Sequence, residues 1–204
     1  MEVSMQNAFE IKGIRIGDGK PVICVPVVSP EREAIIEHIK ALTEQKVQMI
    51  EWRVDCFREA DDVAAVRAVL DAVKPFLTET IFLFTFRTKQ QGGSRQMEEW
   101  KILQLNETAA KSGCADMIDL EFFEATKPEK EIRRFQRIGV RVIASHHDFD
   151  ATPDDRILRM LMEQMQQGGA DVAKLAVMPQ NADDVVRLLK LTNDMKQKYP
   201  TLPI

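Results

Sequence analysis

Val22-Ile-Cys-Val-Pro-Val-Val28, Ser29-Pro-Glu-Arg-Glu33 and Met49-Ile-Glu-Trp-Arg-Val-Asp55 read in turn as a strand, the start of a helix and a second strand. The first is a β-branched apolar run. The second offers a serine N-cap, a proline for the first helical position and acids for the first turn. A helical pattern over 31–45 joins the two strands, so the opening unit is βαβ. Working outward, the unit repeats: strands are expected at 22–28, 48–54, 81–86, 116–121, 140–145 and 172–177. Helical periodicity fills 31–45, 62–75, 98–112, 129–138, 154–167 and 182–198. Thr152-Pro-Asp-Asp155 repeats the helix-start device, and Gly113 and Gly139 fall where a helix ends in a left-handed residue. Strict β-then-α alternation implies an α/β fold with a parallel sheet covered by helices, either doubly wound or a (β/α)8 barrel. With 9 glycines and no G-x-G-x-x-G after the first strand, the dinucleotide-binding version has little support. Upstream, Phe9 to Ile16 alternates and ends in Gly17-Asp-Gly19, a hairpin signal leading into the first core strand. No linker or low-complexity stretch interrupts residues 1–204, so one domain is expected.

The chain is 45% apolar and 29% charged over 204 residues, ordinary globular composition. Lys and Arg number 28 against 32 Asp and Glu, a net charge of −4, so no basic excess marks a nucleic-acid partner. The longest apolar stretches, such as Ile81–Phe86, fall far short of the roughly 20 residues that span a membrane, and no membrane partner is expected. Met1 to Phe9 includes Glu2 and lacks the apolar core of a signal peptide. Cys24, Cys56 and Cys114 are odd in number and widely spaced, which suits reduced thiols in a cytoplasmic protein rather than a disulfide framework or a zinc site.

Charges inside parallel strands need explaining, because such strands are normally buried on both faces. In Met49–Asp55 the period of two puts Met49, Glu51, Arg53 and Asp55 on one face. That is either the outer face of an edge strand or an inward cluster. Arg87 ends the third strand, Asp119 and Glu121 end the fourth, and His146, His147 and Asp148 follow the fifth. Titratable groups thus gather at C-terminal strand ends, where α/β folds place their sites. Lys174 stands within the apolar run Asp171-Val-Ala-Lys-Leu-Ala-Val177. Burial there favours the neutral amine that carbonyl attack requires, unless the side chain snorkels out or pairs with an acid such as Glu121. Alternation turns the His146 and His147 rings to opposite faces, with His147 sharing the face of Ser145. His147 then reads as a proton shuttle beside an amine nucleophile, or as a capping histidine. His38 reads as a surface residue. No set of ligands at metal-binding spacing accompanies these histidines.

Ile50-Glu-Trp-Arg-Val-Asp55, Phe84-Thr-Phe-Arg87 with Gly92-Gly93 soon after, Ser145-His-His-Asp-Phe149 and Lys174-Leu-Ala-Val-Met-Pro179 together closely resemble type I 3-dehydroquinase. The order and spacing of these motifs agree, and the resemblance runs from about residue 9 to the end. It implies a (β/α)8 barrel, here with six βα units and an N-terminal hairpin. It also implies a carbon–oxygen lyase that dehydrates 3-dehydroquinate to 3-dehydroshikimate, in the route to aromatic amino acids. By the same resemblance Lys174 forms a Schiff base with the substrate ketone and His147 moves the protons. Glu51, Arg53 and Arg87 contact the substrate, no metal or organic cofactor takes part, and the enzyme is a homodimer. Two departures stand out. In Lys89-Gln-Gln-Gly-Gly93, Gln91 occupies the place of the family's acid that orients the histidine. The chain also stops at Tyr199-Pro-Thr-Leu-Pro-Ile204, where the family's seventh strand begins. An incomplete barrel with impaired activity, poor stability or non-native association is therefore expected. Two other readings stand beside the dehydratase. One is a class I aldolase-like enzyme, which lacks comparable motifs; the other is a non-catalytic remnant that binds a small carboxylate or a protein.

Overall fold

The computed structural model describes residues 9–17, 20–122 and 128–204. A short antiparallel pair, β1 (Phe9–Ile11) and β2 (Ile14–Ile16), precedes six strand–helix units. These are β3 (Cys24–Val27) with α1 (Arg32–Glu44), β4 (Met49–Arg53) with α2 (Val63–Val73), and β5 (Ile81–Thr85) with α3 (Glu99–Ser112). They continue with β6 (Met117–Glu121) and α4 (Glu129–Ile138), β7 (Arg141–Asp148) and α5 (Asp155–Gln167), and β8 (Val172–Val177) and α6 (Ala182–Lys198). All six strands β3 to β8 are parallel and lie side by side in chain order. This is the curled half of a (β/α)8 barrel, in which each helix returns the chain over the outside of the sheet.

The period of two along each strand separates two cores. Outward, Ile50, Trp52, Phe82, Phe84, Ile118, Leu120, Val142 and Ala144 pack against helix residues such as Ile35, Val69, Leu105 and Phe135. Each large side chain fully buried there contributes about 1.5–3 kcal/mol. Inward, Met49, Ile81, Leu83, Met117 and Ile143 form a smaller cluster with Ile16 of β2. Phe9, Ile11, Ile14 and Val22 pack on it, so the β1–β2 pair plugs the N-terminal end of the barrel. Lys12 secures the plug, its ammonium donating to Thr80 O (2.9 Å) and Asp116 Oδ2 (2.6 Å).

The turn of that pair is Lys12–Gly13, both left-handed with φ of 52° and 77°, as a two-residue hairpin turn requires. It is not Gly17-Asp-Gly19, of which Asp18 and Gly19 lie outside the described residues, as do Met1 to Ala8. Helix α1 is capped at Glu31 rather than Ser29, whose hydroxyl instead pairs with His38 Nδ1 at 2.9 Å on the exposed side of the helix. Asp154, not Thr152, caps α5 by accepting from Arg156 N. Gly113 and Gly139 do end α3 and α4. The sheet has β3 and β8 as its edges, and β4 lies between β3 and β5. An edge position therefore does not explain the charges of β4. On the far side of β8, Ala173 N–H donates to Pro203 O (3.0 Å), with Leu202 and Pro203 buried. Among the described residues no helix is long and apolar enough to cross a membrane.

Candidate active site

Above the apolar inward cluster, the next inward positions are polar. The register aligns Arg53 with Thr85, Thr85 with Asp119, Glu121 with Ser145, Ser145 with Lys174 and His147 with Ala176. Glu51, Arg53, Asp119, Glu121, Ser145, His147 and Lys174 thus line the C-terminal half of the barrel interior. Strand β7 continues through Asp148, three residues beyond the expected 140–145, because His146 and His147 still pair with β8. This extension fixes the alternation of the two rings. His146 faces outward, its Nδ1–H donating to Phe122 O (3.0 Å), while His147 faces inward.

Lys174 and His147 stand on neighbouring strands, one inward position apart. A strand spacing of about 4.8 Å and a rise of about 3.3 Å per residue put their Cα atoms about 8 Å apart, within reach of a lysine chain. Lys174 is half-buried, and its amine makes no hydrogen bond or ion pair with a described residue. Glu121, a candidate partner for it, is taken by other groups. Its carboxylate accepts from Arg87 Nη1 (3.0 Å), Thr88 N–H (2.8 Å) and Thr88 Oγ1 (2.6 Å).

His147 is held by Gln91 from the short turn Lys89–Gln91. Gln91 Oε1 lies 3.0 Å from both the His147 backbone N–H and the ring Nδ1. The backbone group can only donate, so the atom facing it is the amide oxygen, and Nδ1 must carry the ring proton. Nε2 is left with its lone pair, the form a general base needs. Burial first, then the neighbouring Arg87 charge, push the His147 pKa down to about 3. Phe149 stacks on the imidazole at 6.2 Å between ring centres. The two glycines after Gln91 have steric reasons. A Cβ on Gly92 would lie 2.3 Å from the Phe149 ring, and one on Gly93 would lie 1.9 Å from Arg87 O.

Arg87 is buried, and its guanidinium donates to Asp119 Oδ2 (2.8 Å), Glu121 and Ser145 Oγ (2.9 Å). Ser145 Oγ in turn donates to Asp119 Oδ1 at 2.6 Å. Burial opposes the charge on Asp119, but Arg87 and then Lys174 outweigh it and the carboxyl pKa is lowered. Glu121 goes the other way: burial dominates and its pKa is raised. Arg53 and Glu51 are half-buried on β4. Arg53 is forked onto Asp55, its Nε 2.8 Å from Oδ1 and its Nη2 2.9 Å from Oδ2. Asp55 does not continue β4; it sits in a 3-10 turn, Val54–Cys56, that folds it back toward Arg53. Asp55, Asp119 and Ser145 stand in the sequence motifs without assigned partners, and Thr88 lies outside those motifs. The shared inward parity was the available signal, but which acid meets which arginine depends on three strands at once. Among the described residues no three His, Cys, Asp or Glu side chains are grouped to hold a metal ion.

A curled parallel sheet with a lysine and a tautomer-locked histidine on its inner face defines a barrel of enzymatic type. The model of the family Type I 3-dehydroquinase matches residues 23–204, and the chain belongs to that family. Among similar proteins, 3-dehydroquinate dehydratase of Klebsiella pneumoniae subsp. pneumoniae is 38% identical over 204 residues, covering 98% of this chain and 80% of that one. The enzyme of the same name from Listeria monocytogenes serotype 4b is 38% identical over 193 residues, covering 94% and 77%. A crystal structure of type I 3-dehydroquinate dehydratase from Clostridium difficile with covalently modified comenic acid superposes with a TM-score of 0.93. It is 36% identical and covers 98% of this chain and 80% of its own. Deoxyribose phosphate aldolase from Aeropyrum pernix, at 14% identity and a TM-score of 0.60, shares the fold alone.

Proposed function

We propose that the chain eliminates water from 3-dehydroquinate to give 3-dehydroshikimate through an imine on Lys174. The observation that carries this reading is the Lys174 amine on the inner face, without a hydrogen-bond or ion-pair partner among the described residues, one position from a His147 ring whose Nδ1 holds the proton and whose Nε2 carries the lone pair. Dehydratases of this name at 38% identity support the substrate. Lys174 Nζ adds to the ketone carbon, and loss of that oxygen as water leaves the protonated imine. The iminium withdraws electrons from the adjacent carbon, so His147 Nε2 takes the C2 proton and an enamine forms. The enamine pair then expels the C1 hydroxyl, which leaves as water with the proton held on His147. Water hydrolyses the remaining imine and frees Lys174. The lysine itself supplies the electron sink. Glu51 and Arg53 are placed to hydrogen-bond ring hydroxyls. Arg87 braces the wall of the cavity through Asp119, Glu121 and Ser145.

Incubation with 3-dehydroquinate and borohydride, followed by peptide mass analysis, tests the chemistry. An adduct on Lys174, with conjugated-enone absorbance in the unreduced reaction, is expected. A folded sample giving no adduct refutes it. A second reading, a binding module without turnover, is favoured by β3 and β8 standing as the two edges of the sheet among the described residues. An adduct on Lys174 without enone would select it. A cytoplasmic setting agrees with three free cysteines. A homodimer enters only through family membership, and light scattering checks it.

A further inference from the structure

Asp55 is a buried carboxylate beside the cavity that the chemistry above leaves without a task. Asp55 exposes none of its side chain, and both its oxygens are saturated. Oδ1 accepts from Arg53 Nε (2.8 Å) and the Arg87 backbone N–H (3.2 Å). Oδ2 accepts from Arg53 Nη2 (2.9 Å) and the Ser94 backbone N–H (2.9 Å). Three parts of the chain meet at this group: the Arg53 side chain, the Arg87 backbone two residues past β5, and the far end of the loop between Thr88 and Arg95. The near end of that loop is closed by Gly93 N–H donating to Thr88 O (2.8 Å). Between the two fastenings lies Gln91, the residue that sets the His147 tautomer. A carboxylate in a two-pronged contact fixes the plane of a guanidinium that otherwise turns about several bonds.

We propose that Asp55 is a positioning residue that aims Arg53 at the substrate and, through the Arg87 and Ser94 amides, holds the Gln91 loop against His147. One carboxylate thereby sets both substrate alignment and the state of the base, an inference that rests on the dehydratase reading for its kinetic part only. In Asp55→Asn the amide nitrogen cannot accept, so one of the two donor pairs loses its partner whichever way the amide turns. With 3-dehydroquinate, KM should rise by about tenfold or more, the cost of one charge-assisted hydrogen bond, and kcat should fall as well. In an Arg53→Ala background the same substitution should raise KM no further, because the side chain it aims is gone, while the fall in kcat should persist. Equal KM factors in the two backgrounds would overturn the Arg53 half. Ring 15N spectra of His147 test the other half without turnover. The wild type should stay neutral and Nδ1-protonated down to about pH 3, whereas Asp55→Asn should titrate nearer the ordinary value of about 6.5. An unchanged ring spectrum, with Arg87 and Ser94 amides still protected from exchange, would overturn it. If the wild type yields neither adduct nor enone, the reaction assignment fails, and the NMR arm still decides whether Asp55 holds the loop.

Discussion

The lower and upper halves of the barrel interior come from the same strands and differ by two residues along each. Met49 gives way to Glu51 on β4, Leu83 to Thr85 on β5, and Met117 to Asp119 on β6. Ile143 gives way to Ser145 on β7, and Val172 to Lys174 on β8. The lower ring, closed by the β1–β2 plug, is a dry packed core. The upper ring is a network of charges that the fold must hold in place at some cost. The outward faces of the same strands are apolar at both levels except for His146, which is tied to Phe122 O. The exchange is therefore confined to one face and one end, and it marks where stability is built and where chemistry is done.

The largest effect that tests this contrast is the loss of the amine. Lys174→Met should lower turnover by more than about a thousandfold while leaving the melting temperature unchanged or higher, since among the described residues Lys174 has no hydrogen bond or ion pair to lose. A drop of several degrees would show that the upper ring also bears stability at this point. Arg87→Met should behave otherwise. It strands Asp119 and Glu121 without their cation, and urea unfolding should report about 3–5 kcal/mol lost. Leu83→Ala, in the lower ring, should cost about 2–5 kcal/mol through the cavity left behind, with kcat per folded molecule nearly unchanged. A fall in kcat there would break the division of labour.

The smallest expected effect concerns the base. Gln91→Glu places a carboxylate against Nδ1–H, strengthens Nε2 and should raise kcat by about tenfold; an unchanged or lower rate counts against the role of Gln91. The pH dependence sharpens this. With a folded pKa of about 3 against an unfolded value of 6.5, His147 is neutral in the native state above about pH 3. The unfolded chain binds a proton first as the pH falls. The contribution of His147 to stability is therefore complete above the unfolded value and declines as the pH drops toward the folded one. The wild-type kcat/KM profile should show no acid limb from His147 above about pH 3, whereas Gln91→Glu should acquire one near or above 6.5.

Much of this was legible in the chain. The six strand–helix units appear within a few residues of their expected bounds, because amphipathic periods of 2.0 and 3.6 are local properties. The common face of Glu51 and Arg53, and that of Ser145 and His147, follows from the same alternation. Local signals also misled where two competed. Gly17-Asp-Gly19 looked a stronger turn than Lys12–Gly13, and Ser29 a better cap than Glu31, yet the Ser29 hydroxyl found His38 instead. The end of β7 was set too early because His146-His-Asp148 is not an apolar run, although its pairing with β8 keeps it extended.

Sequence alone thus determined the alternation of elements and which residues within a strand share a face, since both depend on neighbours along the backbone; whether that face is inward needed the sheet order. Tertiary structure decided the partners: Glu121 for Arg87 rather than for Lys174, Asp55 for Arg53 and two backbone amides, and Gln91 for the His147 ring. Those choices join residues 32 to 56 positions apart as well as near neighbours. They are made by competition among donors and acceptors that only the curled sheet brings within bonding distance.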